Sequence, residues 1–275
     1  MRTRIAFMLL IMCGCIACTP TVSNKAKILL DKATSHYTKG EYNTAKLLID
    51  SIHTTFQHDI ETRQQARILM YNIEYQETAR NLAYLDSIIP LAKKQCDSMM
   101  VDYVLLDTVY VTPKTYRHTY FDKQAPATTL MCEVTEQGNI NIISVNAGKA
   151  RNHVAIKVSS DDAFADTQEV PVGNAYNYQF TDLGVQWEKV TFDKNTQGNI
   201  LGFIELYQNH PIYVTLMGEK NYTYQLGKKS IEALAQSVQY AHHINQYVEL
   251  KKEHHKLTEK LAWIKQKLVA EESPY

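Results

Sequence analysis

The stretch HVAIKVSSDD, His153–Asp162, places Val154, Ile156 and Val158 at alternate positions, with small or polar residues between them. A period of two marks a half-buried strand, because successive side chains point to opposite faces. Ser160, Asp161 and Asp162 then supply a turn. The same alternation returns at Ile212, Val214 and Leu216 within PIYVTLM. Together these stretches rule out an all-helical chain and require antiparallel sheet with one face in a core.

Working outward, VDYVLLDTVYV, TYRHTYF, TTLMCEV, NIIS, YNYQFTD, WEKVTF, ILGFIELY and NYTYQL also read as strands. They are separated by clusters such as Glu136–Asn139, Asn195–Asn199, Gln208–His210 and Gly218–Asn221. Many short strands at this spacing predict an antiparallel β-domain over 101–227, built as a β-sandwich or a strongly curled sheet.

The flanks have helical period. Over 26–100, Ile28, Leu29, Ala33 and Tyr37 precede Lys39-Gly40, and Tyr42, Ala45, Leu48, Ile49 and Ile52 follow it. This is a helix–turn–helix pattern. The spacing Ala33-x3-Tyr37-x2-Gly40-x-Tyr42-x2-Ala45 resembles a tetratricopeptide repeat, in which small residues let two helices approach and the glycine permits the turn. A second pair of helices is expected at 62–79 and 80–99. With so few repeats, the resemblance implies a short module rather than a long solenoid. The segment 228–270 reads as one helix, roughly 60 Å long if continuous, with no Gly or Pro between Lys228 and Ser273. Ile231, Leu234, Val238 and Ala241 suit packing on the β-domain. Leu250, Leu257, Leu261, Ile264 and Leu268 form a heptad-like seam for a protein partner or for other helices of the chain. The predicted fold class is therefore α+β: N-terminal repeat-like hairpins, an antiparallel β-domain and a long C-terminal helix.

The N-terminus reads as a targeting segment. Arg2 and Arg4 precede the apolar run IAFMLLIM, Ile5–Met12, which is shorter than the about 20 residues that span a bilayer. The small residue and cysteine that follow resemble the lipobox of bacterial envelope lipoproteins. That resemblance implies a signal peptide over 1–17, acylation (palmitate-type) of Cys18, with Cys15 as the other frame, and a polar tether over 18–25. It also implies a membrane as partner. The absence of an acidic run in TPTVSNK places the protein at the outer membrane, facing the periplasm. Beyond the signal, the cysteines are Cys96 and Cys132. An envelope compartment permits either a disulfide between them or two buried thiols.

Lys+Arg and Asp+Glu both number 29, so no basic field attracts nucleic acid. The chain lacks a nucleophile elbow, a zincin helix, a Walker loop and a dinucleotide fingerprint, and no catalytic residue or cofactor is expected. His243 and His254 lie too far apart along one helix to share a metal. Asp161, Asp162 and Asp166 lack the spacing of a calcium loop. The tyrosines and tryptophan of the β-region, Tyr178, Trp187 and Tyr207 foremost, suit either a sugar-binding face or a core. The expected function is that of a membrane-anchored, non-enzymatic scaffold or protein-interaction module of the cell envelope. The alternative is a glycan- or small-ligand-binding β-domain on a lipid tether.

Overall fold

The computed structural model describes residues 22–106, 113–123 and 127–272. Cys18, Cys15 and the expected signal peptide lie outside the described residues. In chain order the elements are α1 (Val22–Thr38), α2 (Tyr42–Thr55), α3 (Ile60–Met100), β1 (Tyr103–Leu105), β2 (Thr115–His118), α4 (Thr119–Asp122), β3 (Thr129–Thr135), β4 (Ile140–Gly148), β5 (Ala155–Ser160), β6 (Ala163–Asp166), β7 (Asn177–Asp182), β8 (Val185–Phe192), α5 (Ile200–Tyr207), β9 (Tyr213–Met217), β10 (Tyr222–Gln225) and α6 (Lys228–Glu272). The α+β class holds. The chain forms two compact units: one ends at Asn81 and resumes at Leu257, the other is Leu82–Lys256. The unit boundaries therefore fall inside α3 and α6, not at 100 and 228 as the change of period suggested.

In the helical unit, Lys39-Gly40 turns α1 into α2 as the repeat pattern requires. Gly40 has φ +76°, a conformation that costs an L-residue about 1 kcal/mol or more. Leu30, Ala33, Ala45, Ile49, Ile52, Ala66, Leu69 and Ile73 make its core, and the Tyr37 and Tyr42 rings meet at 5.9 Å. Asp59 accepts a hydrogen bond from the Thr62 N–H at 3.0 Å and so caps α3. Two boundaries differ from the expected ones. Helix α1 starts at Val22, so residues 22–25 are helical rather than tether. The expected pair 62–79 and 80–99 is a single helix of 41 residues that runs through Pro90. Nothing between Gln76 and Leu85 breaks a helix, since that stretch holds neither Gly nor Pro.

The second unit holds two antiparallel sheets. The first has strand order β1-β2-β3-β4-β8-β7, the second β10-β9-β5-β6. Leu130, Cys132, Ile142, Val190 and Phe192 of the first share one core with Ile156, Val158, Val214 and Leu216 of the second. Ile231, Leu234, Val238 and Ala241 of α6 join that core, which matches their helical spacing. ILGFIELY, expected as a strand, is instead α5. Its buried residues Ile200, Phe203 and Ile204 follow the i, i+3, i+4 spacing of a helix face, whereas Leu206 is exposed. A short apolar run bounded by turns does not distinguish the two states by hydrophobicity alone.

Candidate site on the outer face of the six-stranded sheet

The β7–β8 hairpin closes through Leu183-Gly184, at φ +47° and +78°. Two successive positive φ values match the right-handed twist of the flanking strands. The register pairs Phe180 with Trp187 and Tyr178 with Lys189. Phe180 and Tyr178 are two residues apart, so the three rings share one face of the sheet. That face is the one turned away from the core. Tyr178 and Phe180 meet at 5.4 Å with an interplanar angle of 26°. Phe180 and Trp187 meet at 6.1 Å and 10°. Tyr178 is 62% exposed and Phe180 38%, and Trp187 is half-buried. The result is a solvent-facing strip of three near-parallel rings.

Beside the strip lies a hollow of about 210 Å³, bordered by Arg117, Met131, Val145, Phe180, Trp187, Glu188 and Lys189. Arg117 forms an ion pair with Glu133 across β2 and β3. The arrangement provides an apolar ring floor, with a cationic group and a carboxylate–guanidinium pair at its border. It suits a ligand with one flat C–H face and polar edges. Phe180 was absent from the sequence-based candidates. Its signal was present in the strand pattern, two positions from Tyr178. Tyr207 is elsewhere: on α5 it stacks on Phe203 at 4.5 Å and packs against the core, so it takes no part in the strip.

The C-terminal seam is not an exposed stripe. Ile264 is fully buried, and Leu250, Leu257, Leu261 and Leu268 are half-buried. In the helical unit α3 runs antiparallel to α6: Arg67 pairs with Glu271 at 2.7 Å, Glu74 with Lys260 at 3.5 Å, and Tyr71 meets Trp263 edge-on at 5.9 Å. Leu257, Leu261, Ile264 and Leu268 thus lie along the stretch of α6 that α3 covers. In the second unit His243 meets Gln95 at 3.2 Å and His254 meets Asp86 at 2.9 Å, each with its own partner on α3. Leu250 there borders a groove with Leu85.

One buried cluster brings together residue types that a hydrolase would use. The His153 Nδ1 lies 2.6 Å from a Glu188 carboxylate oxygen. Glu188 also accepts from the N–H groups of Arg151, Asn152 and His153 at 2.6, 2.8 and 3.3 Å. Ser144 is on the neighbouring strand β4. All three residues are fully buried, and of them Glu188 borders the hollow beside the ring strip. Burial by itself raises a carboxyl, yet the hydrogen bonds from His153 and the backbone hold the Glu188 pKa below its ordinary value. Burial pushes the His153 imidazole down, against the pull of Glu188. The pair is a neutral imidazole on an ionised carboxylate, and it fastens the 151–153 loop to β8.

Cys96 and Cys132 are both free thiols. The disulfide is not formed. Burial pushes the Cys132 thiol up to about 12 and raises Cys96 as well. Among the described residues, no three His, Cys, Asp or Glu side chains converge to hold a metal, and no helix is long and apolar enough to cross a membrane. No protein-family model, curated protein or solved structure matches the chain.

Proposed function

We propose that the chain is a non-enzymatic binding protein of the bacterial cell envelope, tethered by an acyl group on Cys18 or, in the other frame, Cys15. Its β-domain takes a ligand with a flat apolar face, a saccharide, on Tyr178, Phe180 and Trp187. The observation that carries this reading is the strip itself: three near-parallel rings held in solvent on one sheet face. Aromatic side chains that serve only a core are buried. The competing reading, a scaffold that recruits partners through the C-terminal seam, required an apolar stripe open along α6. Ile264 is fully buried and Leu250, Leu257, Leu261 and Leu268 are half-buried, which favours the β-domain as the binding element. The tether rests on the resemblance of the N-terminus to a lipobox.

The chain has two tryptophans. In a Trp263→Phe background, fluorescence reports Trp187 alone. Titration with a panel of linear polysaccharides is expected to shift that emission, and Trp187→Ala or Tyr178→Ala to weaken binding by about tenfold or more. Equal affinity in both variants, or no response across the panel, rejects the saccharide reading. Mass spectrometry of the mature N-terminal peptide tests the tether separately. An acylated Cys18 is expected, and an unmodified Met1 excludes it.

A further inference from the structure

β7 is the last strand of its sheet, and the phase of its hydrogen bonds identifies what its free edge offers. The Thr191 N–H donates to the Tyr176 C=O at 2.8 Å. The register 176–191, 178–189, 180–187 and 182–185 then makes the even-numbered residues of β7 the ones bonded to β8, because bonded pairs alternate along an antiparallel ladder. Asn177, Gln179 and Thr181 turn their backbone groups outward. The Asn177 N–H is already taken by the Asn174 C=O at 2.9 Å. Gln179 and Thr181 remain.

We infer that two copies of this chain pair edge to edge through β7, antiparallel about a two-fold axis at Phe180. That axis sets Gln179 of each copy opposite Thr181 of the other, so the outward N–H and C=O groups satisfy one another reciprocally. An axis at Gln179 instead opposes Thr181 to Asn177, whose N–H is spent. An axis at Thr181 opposes Gln179 to Leu183, which is in the turn. The charges agree. Asp182 is the one charged residue of β7. About this axis it lies opposite Tyr178 of the second copy, in the same cross-strand row as that copy's Lys189, and no like charges face each other.

The edge also lacks the devices that keep edges apart. β7 has no proline, lysine or inward-pointing charge. Pairing sets Phe180 beside Phe180 of the second copy, so the two ring strips become one continuous face. The contact is small, below the about 1,200 Å² of a standard interface, so the dimer is weak and concentration-dependent.

Sedimentation velocity of the purified protein across a concentration series is expected to show a reversible monomer–dimer equilibrium. Thr181→Pro removes an outward N–H at a free edge, where proline is tolerated, and its side chain is on the face opposite the rings. It is expected to raise the dimer dissociation constant by about tenfold or more, with an unchanged circular dichroism spectrum and unchanged saccharide titration. Phe180→Lys and Phe180→Glu are each expected to be monomeric, and an equimolar mixture to associate again, since the two positions face each other across the axis. A protein that stays monomeric at every concentration overturns the inference. So does a dimer that Thr181→Pro leaves unchanged, or a charge-swapped mixture that fails to associate. An extended peptide from another protein, or a membrane surface, as the true occupant of the edge gives the first of these results.

Discussion

Glu188→Gln is the sharpest test of how the β-domain is held. The carboxylate accepts four hydrogen bonds, from three backbone N–H groups and the His153 ring. A glutamine keeps one oxygen, which suffices for Arg151 and Asn152. Its amide N–H groups then face the N–H of His153 and the ring. Each buried donor left without an acceptor costs about 1–3 kcal/mol, and a change of imidazole tautomer relieves part of it. The expected loss is about 2–4 kcal/mol at pH 7. Urea unfolding followed by Trp187, beside Glu188 on β8, reads this domain when Trp263 is replaced by Phe.

The pH dependence supplies a second check. Glu188 is held below its ordinary pKa, so its contribution is present above the unfolded value of about 4.5 and is lost as pH falls through the folded one. His153 is depressed too, and acid that charges it opposes folding below about pH 6.5. The variant keeps the histidine but not the carboxylate. Its deficit is therefore expected to shrink as pH falls below about 4.5, where the parent protein loses the contribution of the carboxylate. A loss under about 0.5 kcal/mol, or a deficit that does not change with pH, refutes the claim that this carboxylate anchors the loop.

Three further outcomes are expected. Ile264→Ala is expected to destabilise the helical unit by about 2–5 kcal/mol in thermal unfolding followed by circular dichroism; a loss near zero means that the seam is not covered. Gly40 and Gly138 have nearly the same φ, +76° and +79°, but a Cβ meets nothing within 4 Å at Gly40, whereas at Gly138 it comes within 2.6 Å of Asn245 and 2.8 Å of the Ala241 carbonyl. Gly40→Ala is expected to cost about 1–2 kcal/mol of backbone strain and Gly138→Ala measurably more, with equal losses refuting the steric part. Alkylation of the native protein at pH 8 is expected to modify Cys96 and spare fully buried Cys132, whose thiol stays protonated; two thiols that react only after reduction point to a disulfide instead.

What was legible in the sequence followed from periodicity in long or repeated segments. Val154, Ile156 and Val158 and their counterparts on β9 showed the half-buried sheet, and Ala33, Gly40 and Ala45 showed the first hairpin. What was not legible depended on tertiary partners. The run 200–207 is apolar enough for either state, and only its burial on one face makes it a helix. The seam from Leu250 to Leu268 has the same pattern whether a second protein or α3 covers it. Trp187 and Tyr207 are alike as letters. One is half-buried on the outer face of a sheet, the other on a helix pressed to the core. Phe180 was overlooked because a lone phenylalanine in a strand looks like core until its neighbours on that face are known.

The β7–β8 hairpin departs from stability-led design in three ways at once, and they coincide in space. Its tip residue Leu183 has φ +47° and is 96% exposed. A leucine there incurs about 1–2 kcal/mol of backbone strain and recovers no burial, where Asn or Gly would fit the turn. Its outer face keeps Tyr178 and Phe180 in water, and among the described residues no strand pairs with the outward backbone groups of Gln179 and Thr181. Each departure alone is tolerable, since scattered exposed apolar residues are ordinary. Together, on one hairpin, they mark a place where local and global preferences disagree. Such disagreement concentrates at sites that serve something other than folding. It favours a contact made by this hairpin over one made by the helical seam, whose residues agree with their surroundings at every level.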